Sequence, residues 1–248
     1  MKPVGADNLV ISDQYRQPDT VTHSIAARLD NVRARLVAAE RAAGRPEGAV
    51  RLLAVSKTQP AEVLVDAYRH GQREFGESYL QEALAKQEPL ADFDIVWHFI
   101  GPIQSNKTKA IANHFCWVHS IDRLKIAQRL SEQRSGRLPP LNVCIQVNVS
   151  GETSKSGVTL LELPGLAAAI AELPRLRLRG LMAIPKPTDD FEVQRAAFRT
   201  LRQAMEELAL DGLDTLSMGM SDDLEAAVRE GATIVRVGSA IFGPRRLA

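Results

Sequence analysis

The chain has 248 residues, 45% of them hydrophobic, with 31 basic against 30 acidic side chains and a formal net charge of +1. That length supports one large core, and the charge balance leaves no footprint for general nucleic-acid binding and no polybasic arm, so a small-molecule partner is expected. The two cysteines, Cys116 and Cys144, lie in apolar, strand-like runs without metal-ligand spacing, which predicts buried thiols in a reducing compartment rather than a disulfide framework. The opening stretch MKPVGADNLVISDQY has no apolar signal core, and no run of about 18 apolar residues follows anywhere. The expectation is a cytoplasmic protein with no membrane partner.

Residues 1–20 are polar, carry Pro3 and Pro18 and follow neither period, so they are expected to form a flexible lead-in to a single domain over 21–248. From Val21 to Ala43 the apolar positions Ile25, Leu29, Val32, Leu36 and Val37 recur at threes and fours, which predicts an amphipathic helix ended by Gly44 and Pro46. After it the pattern alternates. Short apolar strands are predicted at 51–57, 73–75, 95–100, 116–121, 142–149, 178–183, 213–218 and 233–237. Helices are predicted near 60–69, 80–88, 105–113, 123–135, 160–172, 190–210 and 221–230. Helices between short strands impose parallel pairing with right-handed crossovers, and eight strands in this rhythm close most naturally into a single (β/α)8 TIM barrel, with the first helix as an addition. The rival, a doubly wound open sheet, lacks the G-x-G-x-x-G turn after the first strand, although that absence excludes only one dinucleotide-binding version.

The first strand places Lys57 at its last position, on the pleat face of Leu53 and Val55 and just before the helix-starting Pro60. A lysine at a strand end can snorkel its head to solvent, or it can serve as a desolvated amine that forms a Schiff base with a carbonyl. On the last strand Val235 and Val237 share one face, which turns Ile234 and Arg236 into the barrel. A guanidinium there needs an acceptor, either an interior carboxylate or a ligand, and the inward positions Gln146 and Asn148 of the fifth strand supply no acid.

Phosphates in such barrels are commonly held after strands seven and eight. Here those turns read Ser217-Met218-Gly219-Met220-Ser221-Asp222-Asp223 and Gly238-Ser239-Ala240-Ile241-Phe242-Gly243. Gly219 permits a sharp turn and Ser221 is placed to cap the following helix, although ordinary strand-to-helix turn chemistry gives the same pattern. Asp222 and Asp223 oppose an anion unless they face away. An inward lysine, an inward arginine on the neighbouring last strand, and two small-residue turns together describe a pocket for pyridoxal 5′-phosphate (PLP), with the arginine facing the ring nitrogen. His98 reads as a hydrogen-bonded core residue or a proton shuttle. His23, His70, His114 and His119 show no metal-ligand pairing, and no Ser/His/Asp set is suggested by spacing. Ser154-Lys155-Ser156-Gly157 lacks the P-loop pattern and reads as a helix-capping turn.

From about Val21 to Arg245 the chain resembles the YggS/PROSC family of PLP homeostasis proteins. The resemblance rests on LLAVSKTQP with Lys57, FGESYLQEA at 75–83, WHFIGPIQSNK at 97–107, SIDRLKIA at 120–127, QVNVSGETSKSGV at 146–158, LRGLMAIP at 178–185, SMGMSDDLEAAV at 217–228 and VRVGSAIFGPR at 235–245. It implies a barrel of the alanine racemase N-domain type, PLP held as an internal aldimine on Lys57, phosphate contacts from Ser221, Gly238 and Ser239, and Arg236 at the ring nitrogen. The expected cofactor-binding set is Lys57, Ser78, His98, Met218, Ser221, Arg236, Gly238 and Ser239, with no metal. Two positions depart from the family: Ser78 replaces the asparagine of FGENY, which lies near the cofactor in relatives, and Ser239 replaces a common threonine while keeping the hydroxyl.

The resemblance implies binding and supply of PLP and amino-acid balance, without an established reaction. The expected partners are PLP and apo PLP-enzymes, and the expected state is a monomer or weak homodimer. Ten residues follow Gly238, whereas the second base of a two-base racemase comes from a further C-terminal domain, so robust catalysis is not expected. The alternatives are a minimal PLP-dependent racemase or lyase with Lys57 as base, and a barrel without PLP in which Lys57 is an aldolase-type lysine.

Overall fold

The computed structural model describes residues 24–151 and 156–243. The expected lead-in at 1–20 lies outside the described residues, as do Ser154 and Lys155 of the expected capping turn. Helix α1 (Ile25–Ala42) starts where Ser24 accepts from the Ala27 N–H at 3.2 Å. Eight strands follow in alternation with helices: β1 (Arg51–Val55), α2 (Ala61–Arg69), β2 (Glu74–Glu77), α3 (Leu80–Gln87), β3 (Val96–Phe99), α4 (Thr108–His114), β4 (Trp117–Ile121) and α5 (Leu124–Gln133). The second half is β5 (Leu141–Gln146), α6 (Leu163–Ala171), β6 (Leu176–Met182), α7 (Phe191–Leu208), β7 (Thr215–Ser217), α8 (Leu224–Arg229), β8 (Ile234–Val237) and a four-residue α9 (Ser239–Phe242). All neighbouring strands are parallel and β8 returns to β1, so the sheet closes as the expected (β/α)8 barrel.

Several strands stop short of their predicted C-terminal ends. β1 ends at Val55, because Lys57 already lies in a turn and Thr58 takes a left-handed φ of 67°. β5 ends at Gln146, because the next residues leave the ladder and pair Val147 with Val158 instead. Helix α8 begins at Leu224 with Asp223 at the cap position, so Ser221 is not the helix cap that its spacing suggested. The short α9 is too brief to show a helical period in the sequence.

Partners across a parallel ladder share a face, so the register sorts inside from outside. Leu53 pairs Arg236, Val55 pairs Gly76, Gly76 pairs His98, His98 pairs Trp117 and Met182 pairs Ser217. These residues line the interior. Phe75, Phe99, Val118, Val143, Val235 and Val237 face outward and are buried beneath the helices in one continuous apolar core. The interior is more polar than a barrel filled by branched aliphatic layers. A small apolar cluster of Trp117, Cys144 and Met182 sits there, with the guanidinium groups of Arg51 and Arg179 at 4.9 and 5.0 Å from the Trp117 ring.

Candidate functional site

Lys57 stands at the C-terminal mouth of the barrel, half-buried, in the turn after β1. The turn is held from behind by charges the sequence reading did not use. Ser56 Oγ donates to Glu77 Oε1 at 2.6 Å, and Lys86 Nζ donates to the Ser56 carbonyl and to the same Glu77 oxygen, each at 2.7 Å. Glu77 faces outward, toward α3, and is fully buried. Burial pushes its carboxyl above the ordinary value, against the pull of Lys86 and Ser56. On the other side of Lys57, Thr58 donates its N–H to Glu82 Oε1 at 2.5 Å, and Glu82 also pairs with Lys86. The left-handed backbone at Thr58 is unusual for a β-branched residue, and this contact ties it in place. Lys57 is thus carried on a braced turn rather than at a free strand end.

Arg236 enters the barrel from β8 as expected and is 4% exposed. Its hydrogen bonds go to neutral oxygens: Nη1 donates to the Ser217 carbonyl at 2.6 Å and to Ser217 Oγ at 2.8 Å, and Nη2 donates to the Ala183 carbonyl at 2.8 Å. Among the described residues these occupy three of the N–H groups of a guanidinium that has five. Burial lowers its pKa to about 10, with Asp223 and Cys144 opposing the fall, so Arg236 stays protonated at neutral pH. An interior acid does exist, Glu74 on β2, but it serves Arg51 and His98 and leaves Arg236 to two carbonyls and a hydroxyl.

The turn after β7 is shaped for close approach. Gly219 has φ +92°, and a Cβ there would stand 2.5 Å from the Ala227 side chain. Asp223 bends back to accept the Met220 N–H at 2.6 Å, which occupies the acid that would otherwise oppose an anion. Ser221 is half-buried and Met218 fully buried. The turn is also gripped from outside by α1: Arg35 Nη1 donates to the Ser221 carbonyl at 2.6 Å, while Nε and Nη2 hold the Glu225 carboxylate at 2.5 and 2.6 Å. The turn after β8 lies against β1, since a Cβ on Gly238 would stand 3.2 Å from the Val55 carbonyl. Gly238 is half-buried and Ser239 exposed. Lys57, Arg236 and the two turns therefore belong to adjacent strands at one end of the barrel.

Ser78 follows β2 at the same end and packs backbone to backbone with the turn after β3. A side chain on Gly101 would collide with the Ser78 carbonyl at 2.2 Å. His98 is in a different position from the other expected residues. It is fully buried in the barrel interior, stacked on Trp117 and bonded through Nδ1 to His119 at 2.9 Å, so it contacts protein on both ring nitrogens rather than the mouth. Cys144 is buried as predicted, and burial pushes its thiol up to about 12. Cys116 is exposed, contrary to expectation, because β4 begins only at Trp117 and leaves it in the preceding loop.

The residues that sequence reasoning missed are those that position others: Glu77, Lys86, Arg35, Glu74 and His119. Lys86 left a signal, since it continues the buried stripe of α3 from Leu80 and Ala83. His119 bonds Ser217, 98 residues away, and no local spacing announces that contact.

The donor set fits PLP. It joins an amine, a guanidinium with N–H groups to spare, and two turns of small residues, in the first of which Asp223 is turned back on the Met220 N–H. Comparison with known proteins agrees with this chemistry. Residues 27–246 match the family model described as alanine racemase, N-terminal domain. The chain is 64% identical over 222 residues to a pyridoxal phosphate homeostasis protein of Pseudomonas aeruginosa, covering 90% of this chain and 96% of that one. It is 52% identical over 228 residues to the protein of the same name from Escherichia coli, covering 90% and 97%. Among solved structures, PipY of Synechococcus elongatus with PLP bound superposes with a TM-score of 0.78 at 37% identity, covering 88% of this chain and 100% of that one. The chain therefore belongs to the YggS/PROSC family of pyridoxal phosphate homeostasis proteins, built on the alanine racemase N-terminal domain.

Proposed function

We propose that this protein binds PLP through Lys57 and acts in intracellular PLP homeostasis, holding the cofactor and supplying it to PLP-dependent enzymes. One observation supports this reading above the rest: the braced lysine in the turn after β1 and the buried arginine of the neighbouring, paired strand β8 lie at the end of the barrel that carries the two small-residue turns. PLP supplies an aldehyde that an amine holds reversibly and a ring that accepts electron density. The chain supplies the rest. Lys57 offers the amine, with Ser56 and Thr58 fixing the turn on either side of it. Arg236 would face the ring nitrogen with its remaining N–H groups and, because it keeps its own proton at neutral pH, would hold the ring as a weak electron sink. Ser221, Gly238 and Ser239 provide small, hydroxyl-bearing turns for the phosphate, Met218 lies under the first of them, and Ser78 borders the pocket from β2.

The relatives' name, pyridoxal phosphate homeostasis protein, supports supply over turnover; cytoplasmic action with apo PLP-enzymes as recipients is part of the proposal. No helix among the described residues is long and apolar enough to cross a membrane. The test is transfer. PLP-loaded wild-type protein is mixed with an apo-enzyme while free PLP is trapped, and enzyme activity is followed. Activation by loaded wild type and none by Lys57→Ala is the expected result. Equal activation by both, or rapid turnover of free amino acids by the loaded protein alone, would overturn the carrier role.

A further inference from the structure

The barrel interior holds a line of polar groups that the cofactor site does not use directly. It begins at Arg236, whose Nη1 donates to Ser217 Oγ at 2.8 Å. Ser217 Oγ lies 2.7 Å from His119 Nδ1, and His119 Nε2 lies 2.9 Å from His98 Nδ1. His98 Nε2 is 3.3 Å from Glu74 Oε2, a contact that is off-axis for a hydrogen bond. Glu74 in turn takes Arg51 Nη1 at 3.3 and 3.4 Å. Ser217, His119 and His98 are all fully buried.

The two ends of this line fix everything between them. A guanidinium can only donate and an ionised carboxylate can only accept. Burial pushes the Glu74 carboxyl up, but His98 and Arg51 outweigh it and hold the group below its ordinary value, so it is ionised. Burial is also the largest influence on both histidines and keeps each ring neutral at neutral pH. A neutral ring carries one proton. With a carboxylate 3.3 Å from it, a bare Nε2 lone pair on His98 would face a negative charge, so the ring keeps its proton on Nε2, and its bare Nδ1 must accept from His119 Nε2. His119 Nδ1 is then bare and accepts the Ser217 hydroxyl proton, which frees the Ser217 lone pairs to accept from Arg236. Reversing any one ring sets two protons or two lone pairs against each other in a site without water access, at a cost comparable to an unmade buried hydrogen bond.

We propose that His119 and His98 are positioning residues, both neutral Nε2–H tautomers, that lock the Arg236 guanidinium through Ser217 in a one-way hydrogen-bond relay from Arg236 to His98, its direction set by the charge of Glu74 beyond His98. The relay fixes the plane in which Arg236 presents its remaining N–H groups to the ring nitrogen. That last consequence rests on the PLP reading. The tautomers do not. Removing the acceptor at His119 frees the Ser217 hydroxyl to turn and costs Arg236 one of its three anchors. An asparagine at the same position places an amide oxygen close to where Nδ1 stands and preserves the Ser217 contact.

The experiment has two arms. In the first, nitrogen-15 NMR of histidine-labelled, PLP-free protein reads the tautomers directly. Two buried histidines protonated at Nε2 alone are expected; an Nδ1–H tautomer or an imidazolium at His119 near neutral pH overturns the relay. In the second, PLP affinity is measured for wild type, His119→Phe, Ser217→Ala, their double variant and His119→Asn, with urea midpoints recorded alongside. His119→Phe and Ser217→Ala are each expected to weaken binding about tenfold, the double variant by no more than either, and His119→Asn by about threefold or less. Additive losses, or no loss in Ser217→Ala, overturn the relay. Ser217→Ala is small enough to keep the binding arm decisive if His119→Phe fails to fold. Absence of PLP binding by wild type would instead count against the cofactor reading and leave the first arm to judge the relay.

Discussion

Arg35 on α1 donates to the main-chain carbonyl of Ser221 at 2.6 Å while its other nitrogens hold Glu225, so the helix that precedes the barrel fixes the turn assigned to the phosphate. On the proposed reading the added helix therefore supports the site. Arg35→Ala is expected to weaken PLP binding several-fold and to lower stability by about 1 kcal/mol, the modest value suited to a half-exposed ion pair. Arg35→Lys is expected to recover little, because a single ammonium cannot serve the carbonyl and both carboxylate oxygens in one plane. Calorimetric titration with PLP beside urea unfolding checks both. Unchanged affinity in Arg35→Ala would detach α1 from the site.

The buried Glu77–Lys86 pair behind Lys57 predicts strong non-additivity. Removing Lys86 leaves the Glu77 carboxyl buried without its cation and is expected to cost about 3–5 kcal/mol; removing Glu77 is expected to cost less, because Lys86 keeps Glu82 and the Ser56 carbonyl, and replacing both with Leu and Met is expected to cost less than the two single losses together. Urea midpoints of the two single variants and the double variant measure this. A double variant as unstable as the sum of the singles would show that each residue acts through packing alone.

Most of the fold was legible in the sequence, because strand and helix periods alternate cleanly and punctuating residues such as Gly44, Pro60 and Gly71 fall at element ends. Of the candidate site, the sequence marks Arg236 as an inward charge and Gly219 as the turn that needs a left-handed backbone, and the structure has both so; Lys57, expected on the inward face of the strand, lies in the turn beyond it. The supports were not legible. Glu77 faces outward between strand and helix, Arg35 reaches across 186 residues, and His119 meets Ser217 from the opposite side of the barrel. Such contacts are fixed by closure of the sheet, and closure has no local signature. The misplaced cap at Ser221 has the same origin, since only the folded turn shows Asp223 returning to the Met220 N–H.

Acid should destabilise the protein through its interior. Burial holds His98 below the ordinary histidine value of 6.5, against the pull of Glu74, and holds His119 well below it, with the charges of His98, Arg236 and Arg51 adding to the effect. In the unfolded chain both recover that value, so below it the unfolded state binds more protons than the folded one. Their contribution is therefore complete above pH 6.5 and is lost as pH falls toward the folded values; Glu74, held below its ordinary value, adds a loss of the same sign at lower pH. Urea midpoints between about pH 7.5 and about pH 5.5 should fall, and less steeply in His119→Phe. A midpoint that rises toward acid would contradict the neutral pair.

Ser78 stands where the family resemblance places asparagine. Restoring the longer amide is expected to tighten PLP binding roughly fivefold, the scale of one hydrogen bond worth about 1 kcal/mol. Competition with a PLP-binding dye measures it. Weaker binding in Ser78→Asn would mean that the pocket has adapted to the shorter side chain.

The attachment of PLP to Lys57 is tested most directly by borohydride reduction of the PLP-treated protein followed by peptide mapping. The expected result is one phosphopyridoxyl group on the peptide that contains Lys57, absent from Lys57→Ala. A label confined to other lysines, or no label at all, would contradict the assignment of this lysine and with it the proposed function.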